Sequence, residues 1–203
     1  MDTSGIILAG GKGRRLGCRD KASEIINHGR LLERVVSSLS FLDSIIIVTG
    51  DARQVLPRLE GTPPVKVVAD VYPGKGPLGG IYSGLAASGT PRNLVVACDM
   101  PFLNQGLLRY LIEVSDKFDA VVLRLGEALE PLHAVYSKSC LEPIKRMLAK
   151  GNLNVRQLFD MVRVRYVTTE EIERFDPEHL SFFNINTRQD LKLARKISCQ
   201  REK

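Results

Sequence analysis

The sequence IILAGGKGRRLG occupies residues 6–17, near the start of a chain of 203 residues. Its apolar run Ile6–Leu8 predicts a short buried β-strand, which stops at the glycine pair Gly10 and Gly11. Glycines let a backbone approach a ligand closely, and successive exposed N–H groups in such a loop form a concave site for anions. The stretch therefore predicts a buried strand followed by a phosphate-binding loop.

Basic side chains reinforce this prediction, because Arg14, Arg15 and Lys21 can neutralise phosphate oxygens. The loop is not a Walker A motif, since Lys12 is not followed by Ser or Thr. The dinucleotide fingerprint G-x-G-x-x-G fits residues 11–16 except at its last position, which is not glycine, so dinucleotide binding is disfavoured. We favour phosphate binding over a glycine-rich turn with incidental charge, because three basic residues and several glycines share one strand end.

Apolar runs and helical spacing alternate along the rest of the chain. Further strands are predicted at Ile45–Val48, Val65–Ala69, Leu94–Cys98, Ala120–Leu125, Ala134–Tyr136 and Val162–Val167. Helices are predicted at Leu31–Leu42, Gly79–Ala87, Leu103–Val114, Leu141–Lys150, Val155–Met161 and from Thr187 onward, where Thr187 and Asp190 resemble a capping box. Several strands are apolar throughout, as expected of strands covered on both faces. The pattern predicts an α/β fold with a mostly parallel sheet between two helical layers, in a single domain spanning residues 1–203.

Two of the predicted strands are followed directly by an acidic residue, at the position where ligands bind in folds of this class. Asp99 follows Leu94–Cys98, and a carboxylate there can hold Mg²⁺, which prefers hard oxygen ligands. An equally open interpretation is that Asp99 accepts hydrogen bonds from the amides of its own turn. Asp70 follows Val65–Ala69 and precedes residues 71–80, whose prolines and glycines suit either a shaped binding loop or a simple crossover.

Composition and charge argue against several classes of function. The formal net charge is +6, but the basic residues are spread along the chain, which favours small phosphorylated ligands over nucleic acid. No apolar run approaches the ~20 residues of a membrane-spanning helix, and the N-terminus lacks signal-peptide features, so we expect a cytoplasmic protein without a membrane partner. The cysteines form no C-x-x-C pair, which argues against a zinc or redox site: Cys18, Cys98, Cys140 and Cys199.

Motifs occur in a fixed order along the chain: Leu8–Gly11, Arg15–Gly17, Asp20-Lys21, Gly76–Gly80, Cys98–Phe102, Pro131–Tyr136 and Asn184–Leu191. Together they resemble the molybdenum cofactor guanylyltransferases, a compact branch of the Rossmann-like nucleotidyltransferase superfamily with a three-layer fold. The corresponding patterns are L-A-G-G, R-x-G, D-K, G-P-L-x-G, C-D-x-P-[FY] and N-x-N-T-x-x-D-L. The match extends over nearly the whole chain, with Leu16 in place of the usual Met.

The resemblance implies transfer of GMP from GTP to molybdenum-bound molybdopterin, which gives the guanine dinucleotide form of the cofactor and pyrophosphate. It also implies that GTP is bound at the first loop and the acidic strand ends: Leu8, Ala9, Gly10, Gly11, Lys21, Asp70 and Asp99. Asp99 would hold Mg²⁺, the implied cofactor. Arg15, Lys21 and Asp99 would be the catalytic residues, through positioning and electrostatic stabilisation of the phosphates.

The second substrate is less well marked in the sequence. Asn184 and Asn186 are candidates for the pterin side of the site, but turn and cap chemistry before the helix at Thr187 explains them equally well. The family has an Asn just after its second strand, whereas Thr49 lies there in this chain. Molybdoenzyme-maturation proteins are further candidate partners.

The sequence leaves alternative functions open. A cytidylyltransferase acting on the same pterin typically carries L-A-A-G, whereas Gly10-Gly11 in this chain resembles the guanine users. A sugar-phosphate nucleotidyltransferase usually needs a longer chain. A non-catalytic nucleotide-binding module is disfavoured by the joint presence of Arg15, Lys21 and Asp99.

Overall fold

The computed structural model describes residues 2–10, 24–27, 29–50 and 63–201. Its strands are β1 Thr3–Leu8, β2 Ile25–Ile26, β3 Gly29–Arg30, β4 Ser44–Thr49, β5 Val65–Ala69, β6 Arg92–Ala97, β7 Ala120–Leu125, β8 Ala128–Ser137 and β9 Val164–Val167. Its α-helices are α1 Leu31–Ser38, α2 Gly76–Ala87, α3 Gln105–Glu113, α4 Leu141–Ala149, α5 Thr169–Glu173 and α6 Arg188–Arg201. Among the helices in these ranges, none has both the length and the apolar character that crossing a membrane requires.

The main sheet has seven strands in the order β5-β4-β1-β6-β8-β7-β9. Neighbouring strands β5, β4, β1 and β6 pair in parallel, and so do β7 and β9. Strand β8 runs antiparallel to both of its neighbours, β6 and β7. The prediction of a mostly parallel sheet is therefore confirmed, with one reversed strand in it.

Both faces of the sheet are buried, because successive residues of the central strands point into two different cores. Ile7 of β1 packs in the core beneath α1, α3 and α5, whereas Ile6 packs in the core beneath α2 and α4. Neither side chain is exposed to solvent. This double burial explains why the strands read as continuous apolar runs, and it gives the three-layer architecture that the sequence predicts.

Helix α2 packs unusually close to the sheet. A Cβ added at Gly84 would collide with the Cγ2 atom of Ile6, and one added at Gly80 would lie 3.2 Å from Leu8. Small residues on this face of the helix therefore set its distance from β1. The start of α2 is thereby held against the strand end that carries the first loop.

Asp119 immediately precedes β7 and stabilises the side of the sheet that is formed by β7 and β9. Its carboxylate accepts hydrogen bonds from the Arg163 backbone N–H at 2.9 Å and from the Ser139 hydroxyl at 2.7 Å. The hydrogen bond with the Arg163 side chain is the main cause that lowers the pKa of Asp119 to about 2. This ion pair is structural and lies away from the carboxyl ends of the parallel strands.

The structure differs from the sequence-based prediction around β8. The strand predicted at Ala134–Tyr136 extends over Ala128–Ser137, because its first half pairs only with β7 after an irregularity between Val122 and Leu123. The two-residue strands β2 and β3 and the short helix α5 were not predicted, since each is too short to show a periodic pattern. The helix predicted at Val155–Met161 is a 3-10 helix over Val155–Asp160.

Candidate functional site

The carboxyl ends of four parallel strands meet at one edge of the sheet. Hydrogen bonds continue past the strand ends, from Ala9 N to the Val48 carbonyl at 2.8 Å and from Asp70 N to the Thr49 carbonyl at 2.8 Å. Cys98 N likewise donates to the Leu8 carbonyl at 3.2 Å. The first loop, the Asp70 turn and the turn that carries Asp99 therefore all begin at the same edge.

Gly10, which follows β1, lies close to Gly50, which follows β4. A Cβ at this position would stand 3.1 Å from the Gly50 nitrogen and 3.4 Å from its Cα. The side chains of Leu8 and Ala9 are buried in the cores, so these two residues can offer a ligand only backbone groups. Thr49 is also buried, and its hydroxyl donates to the Val68 carbonyl at 3.3 Å.

Three predicted site residues, Gly11, Arg15 and Lys21, lie outside the described residues. Their roles stay predictions from the sequence. The chain is described again from Glu24, where the β2–β3 hairpin leads into α1.

The Asp70 carboxylate is held by the turn that follows it and by helix α2. Its Oδ1 atom accepts from the Tyr72 N–H at 2.9 Å and from the Ser83 hydroxyl at 2.7 Å. Its Oδ2 atom lies beside Gly79, where an added Cβ would come within 3.3 Å of it. Asp70 itself is half-buried, at the rim of the carboxyl edge.

Asp99 is half-buried in a turn whose neighbours on both sides, Cys98 and Met100, are buried. Its backbone carbonyl accepts a hydrogen bond from the Ile185 N–H at 2.9 Å. This bond brings the distant segment Asn184–Asn186 next to the end of β6. The structure therefore brings together two motifs that are far apart in sequence.

Local hydrogen bonds shape this C-terminal segment. The backbone N–H groups of Asn186 and Thr187 both donate to Asp190 Oδ2, at 2.9 and 2.7 Å, and Asp190 N donates to the Thr187 hydroxyl at 3.1 Å. This is the capping box that the sequence predicts. The Asn184 side-chain amide donates to the Phe182 carbonyl at 3.1 Å, whereas Asn186 is exposed.

A small third core anchors the segment from below. It joins the β2–β3 hairpin, the turn after Asp99 and helix α6, through Ile26, Leu31, Phe102, Phe183, Ile185, Leu191 and Ala194. Arg195 of α6 also donates from Nε to the Ile25 carbonyl at 2.9 Å. The Asp99 side of the site thus rests on the C-terminal helix and on the hairpin.

His133 of β8 lies beneath the same segment and is fully buried. Its ring centroid is 5.9 Å from that of Phe182, and among the described residues neither ring nitrogen has a hydrogen-bond partner. Burial lowers the pKa of His133 to about 4, although the nearby negative charge of Asp176 acts in the opposite direction. A neutral imidazole is therefore packed under the segment that carries Asn184.

Metal binding at this edge would depend on few protein ligands. Within the described part of the chain, no group of three or more His, Cys, Asp or Glu side chains is arranged to hold a metal ion. Asp99 nevertheless offers a half-buried carboxylate at a strand end. Such a carboxylate fits Mg²⁺, which is commonly bound by one or two carboxylates together with substrate phosphates and water.

Ser83 joins the candidate site through Asp70, and sequence reasoning missed it. It lies in the middle of α2, is only 3% exposed, and bonds to Asp70. In the sequence it is one small residue among many in the run Gly79–Ala87, and its partner is thirteen positions away. The one available signal was a serine, next to Tyr82, among the glycine, alanine and aliphatic residues of this helix.

Known proteins resemble this chain over most of its length. Residues 5–167 match a family model described as the MobA-like NTP transferase domain. A probable molybdenum cofactor guanylyltransferase from Pelotomaculum thermopropionicum is 37% identical over 195 residues, which cover 96% of this chain and 93% of that protein.

Solved structures share the fold. The crystal structure of molybdopterin-guanine dinucleotide biosynthesis protein A from Archaeoglobus fulgidus has a TM-score of 0.81 and 28% identity, covering 97% of this chain and 99% of that one. A Mycobacterium tuberculosis protein solved as a manganese complex has a TM-score of 0.66 and 17% identity, covering 96% of this chain and 98% of that one. The latter likeness shows the fold alone.

Proposed function

This chain belongs to the molybdenum cofactor guanylyltransferases of the MobA-like NTP transferase family, and on that premise we propose that it transfers GMP from GTP to molybdenum-bound molybdopterin and releases pyrophosphate. It is a nucleotidyltransferase, and the names of its relatives support guanine as the base and the pterin as the acceptor. The observation that carries the proposal is the hydrogen bond from Ile185 N to the Asp99 carbonyl. It gathers a candidate nucleotide site and a candidate acceptor segment at one edge of the sheet.

In the proposed reaction, an oxygen of the acceptor's terminal phosphate attacks the α-phosphorus of GTP. A new P–O bond forms there, while the bond from the α-phosphorus to the bridging oxygen of the β-phosphate breaks and pyrophosphate leaves. The acceptor phosphate is already anionic, so the reaction needs no strong general base. The barrier is the approach of two polyanions and the charge that develops on the leaving group, so positioning and electrostatics supply the catalysis.

We assign the positive charge to the first loop. Arg15 and Lys21, with the backbone amides around Gly10 and Gly11, would hold the triphosphate and stabilise the departing pyrophosphate. The position of Gly10 supports a tightly shaped loop, since a Cβ there would stand 3.1 Å from the Gly50 nitrogen and would be accommodated only by a small shift of the backbone. Leu8 and Ala9 would contact the nucleotide through their backbones.

Asp99 would hold Mg²⁺, which when bound supplies positive charge to the phosphate oxygens and orients them. Asp70 would accept a hydrogen bond from the nucleotide. Asn184 and Asn186 would face the pterin, which is supported by the position of their segment beside Asp99.

The proposal is tested by pyrophosphate release with GTP, CTP, ATP or UTP, each with Mg²⁺ and molybdenum-loaded molybdopterin. We expect turnover that is selective for GTP and that depends on the acceptor. Selective turnover of CTP would show a cytidylyltransferase instead. Turnover of GTP with a sugar phosphate, but not with the pterin, would overturn the acceptor assignment.

A further inference from the structure

The hydroxyl of Ser83 is the hub of a small buried network between helix α2 and the Asp70 turn. Its Oγ atom lies 2.7 Å from Asp70 Oδ1 and 2.8 Å from the Gly79 carbonyl, and it accepts from the Val71 N–H at 3.0 Å. The side chain is 3% exposed, so solvent does not compete for these bonds. One residue of α2 therefore contacts the carboxylate, the backbone after it and the preceding turn of its own helix.

A hydroxyl has one proton, so Ser83 can donate fully to only one of its two acceptors at a time. A bond to a carboxylate is the stronger choice, because hydrogen bonds to charged groups contribute about twice as much as neutral ones. The Tyr72 N–H donates to the same Oδ1 atom at 2.9 Å. Among the described residues, the hydrogen bonds to this carboxylate thus all end on Oδ1.

The remaining oxygen, Oδ2, faces the start of α2. Gly79 lies beside it, and an added Cβ there would come within 3.3 Å of Oδ2 and 2.8 Å of the Tyr72 carbonyl. Ser83 and Gly79 are one helical turn apart, so both act on Asp70 from the same face of α2. One residue fixes the first oxygen, and the other leaves space at the second.

We infer that Ser83 is a positioning residue for nucleotide binding, which acts through Asp70 by holding Oδ1 so that Oδ2 can accept a hydrogen bond from an N–H or O–H group of the nucleotide. The inference rests on the proposed function, because it takes Asp70 as a nucleotide ligand. Ser83 itself does not contact the nucleotide. Without the hydroxyl, Oδ1 keeps the hydrogen bond from the Tyr72 N–H but loses its bond to α2, so the carboxylate is held less firmly and its bond to the ligand has the correct geometry less often.

The test is a double-mutant cycle with Ser83→Ala, Asp70→Ala and the double variant, measured as KM and kcat for GTP. We expect Ser83→Ala to raise the KM for GTP about tenfold, with little change in kcat or in the KM for the acceptor. In the Asp70→Ala background, the same substitution should change the KM less than twofold, because the group it positions is gone. An equal effect of Ser83→Ala in both backgrounds overturns the inference, and so does a fall in kcat without a change in KM.

Ser88→Ala is the matched control. Ser88 is also buried, directly follows α2 and accepts a hydrogen bond from the Thr90 N–H at 3.1 Å, so its substitution tests the structural cost of removing a buried hydroxyl next to this helix. We expect it to lower the melting temperature while leaving the KM for GTP unchanged. If Ser83→Ala does not fold, Ser83→Cys keeps the size of the side chain and replaces the hydroxyl with a weaker donor. It should show a smaller rise in KM, and an unchanged KM would count against the inference.

Failure of the proposed function gives a different result. If the wild type binds a triphosphate without releasing pyrophosphate, the proposed reaction is wrong, and the same cycle on the dissociation constant still tests Ser83. If GTP, CTP, ATP and UTP all fail to raise the melting temperature of the wild type, the inference falls with the proposed function.

Discussion

Asp70 and Asp99 occupy equivalent positions in the sequence, each directly after an apolar strand, but the fold holds them in different ways. The Asp70 carboxylate accepts a hydrogen bond from the Ser83 hydroxyl of helix α2. At Asp99 the Ile185 N–H, from a segment near the other end of the chain, donates a hydrogen bond to the backbone carbonyl. The position of Asp70 therefore depends on a neighbouring helix, whereas that of Asp99 depends on correct docking of the C-terminal segment. Two acids with the same local pattern therefore have different structural supports, and each support can be tested separately.

The largest effect is expected for Asp99→Asn, which keeps the size of the side chain and removes its charge. We expect kcat to fall by about 10³-fold, since an electrostatic contact to the reacting phosphates would be lost. Asp70→Asn should act mainly on the KM for GTP. Pyrophosphate release at saturating Mg²⁺, with circular dichroism as the check on folding, distinguishes the two. Full activity of Asp99→Asn would remove the basis for the metal assignment.

Acid should lower the stability of the fold through His133, whose ring packs against Phe182 in the segment that leads to Ile185. The folded-state pKa of His133 is lowered to about 4 from an ordinary value near 6.5, so the unfolded chain takes up this proton first as the pH falls. The contribution of neutral His133 to the free energy of unfolding is complete above pH 6.5. It is lost as the pH falls from 6.5 to 4, and the loss is about 3 kcal/mol at most.

The measurement is the free energy of unfolding in urea at several pH values, for the wild type and for His133→Phe. The variant has no proton to bind, so its stability should fall less over this interval. Parallel pH profiles for the two proteins would contradict the assignment.

The position of Ser83 beside Asp70 depends on how closely α2 packs against the sheet. Gly84→Ala should disrupt this packing. The added methyl group would collide with Ile6, so we expect a loss of about 1–3 kcal/mol in the free energy of unfolding. The KM for GTP should rise as well, because Ser83 is carried by the same helix. Gly89→Ala is the control, since an added Cβ there has nothing within 4 Å and should leave both quantities unchanged.

The smallest effect is expected at the acceptor segment. Asn184→Ala should raise the KM for the pterin acceptor about tenfold, as expected for loss of a hydrogen bond to a charged ligand, with the KM for GTP unchanged. Steady-state kinetics with each substrate varied in turn makes the distinction. An equal rise in both KM values would instead indicate a structural role in the turn, where the side chain bonds to the Phe182 carbonyl.

Much of the fold could be predicted because its strands are locally distinctive. Val65–Ala69 and Ala120–Leu125 have the bounds that their apolar runs predict. The start of strand β8 could not be predicted from the sequence, since Glu130 and Pro131 interrupt its apolar pattern and its first half depends on pairing with β7. The order of strands in the sheet is likewise a property of long-range pairing, which no local pattern contains.

The candidate site likewise contains features that local sequence patterns predict and features that they do not. The strand-end acids and Gly10 follow from local patterns, because topology requires the carboxyl ends of parallel strands to share an edge. Ser83 and the bond between Ile185 and Asp99 could not be predicted, because both depend on contacts across the chain. Their signals in the sequence are one serine among several small residues of α2 and an apolar residue between two asparagines.

The bond between Ile185 and Asp99 also has a consequence for the order of assembly during folding. It joins residues far apart in sequence, so the loop that it closes costs more entropy than a loop between neighbouring elements. The strands and helix that support Asp70 are contiguous within the first half of the chain, and their contacts close much shorter loops. We therefore expect the Asp70 side to become protected from hydrogen exchange early in refolding, and the Asp99 side only when the C-terminal segment docks.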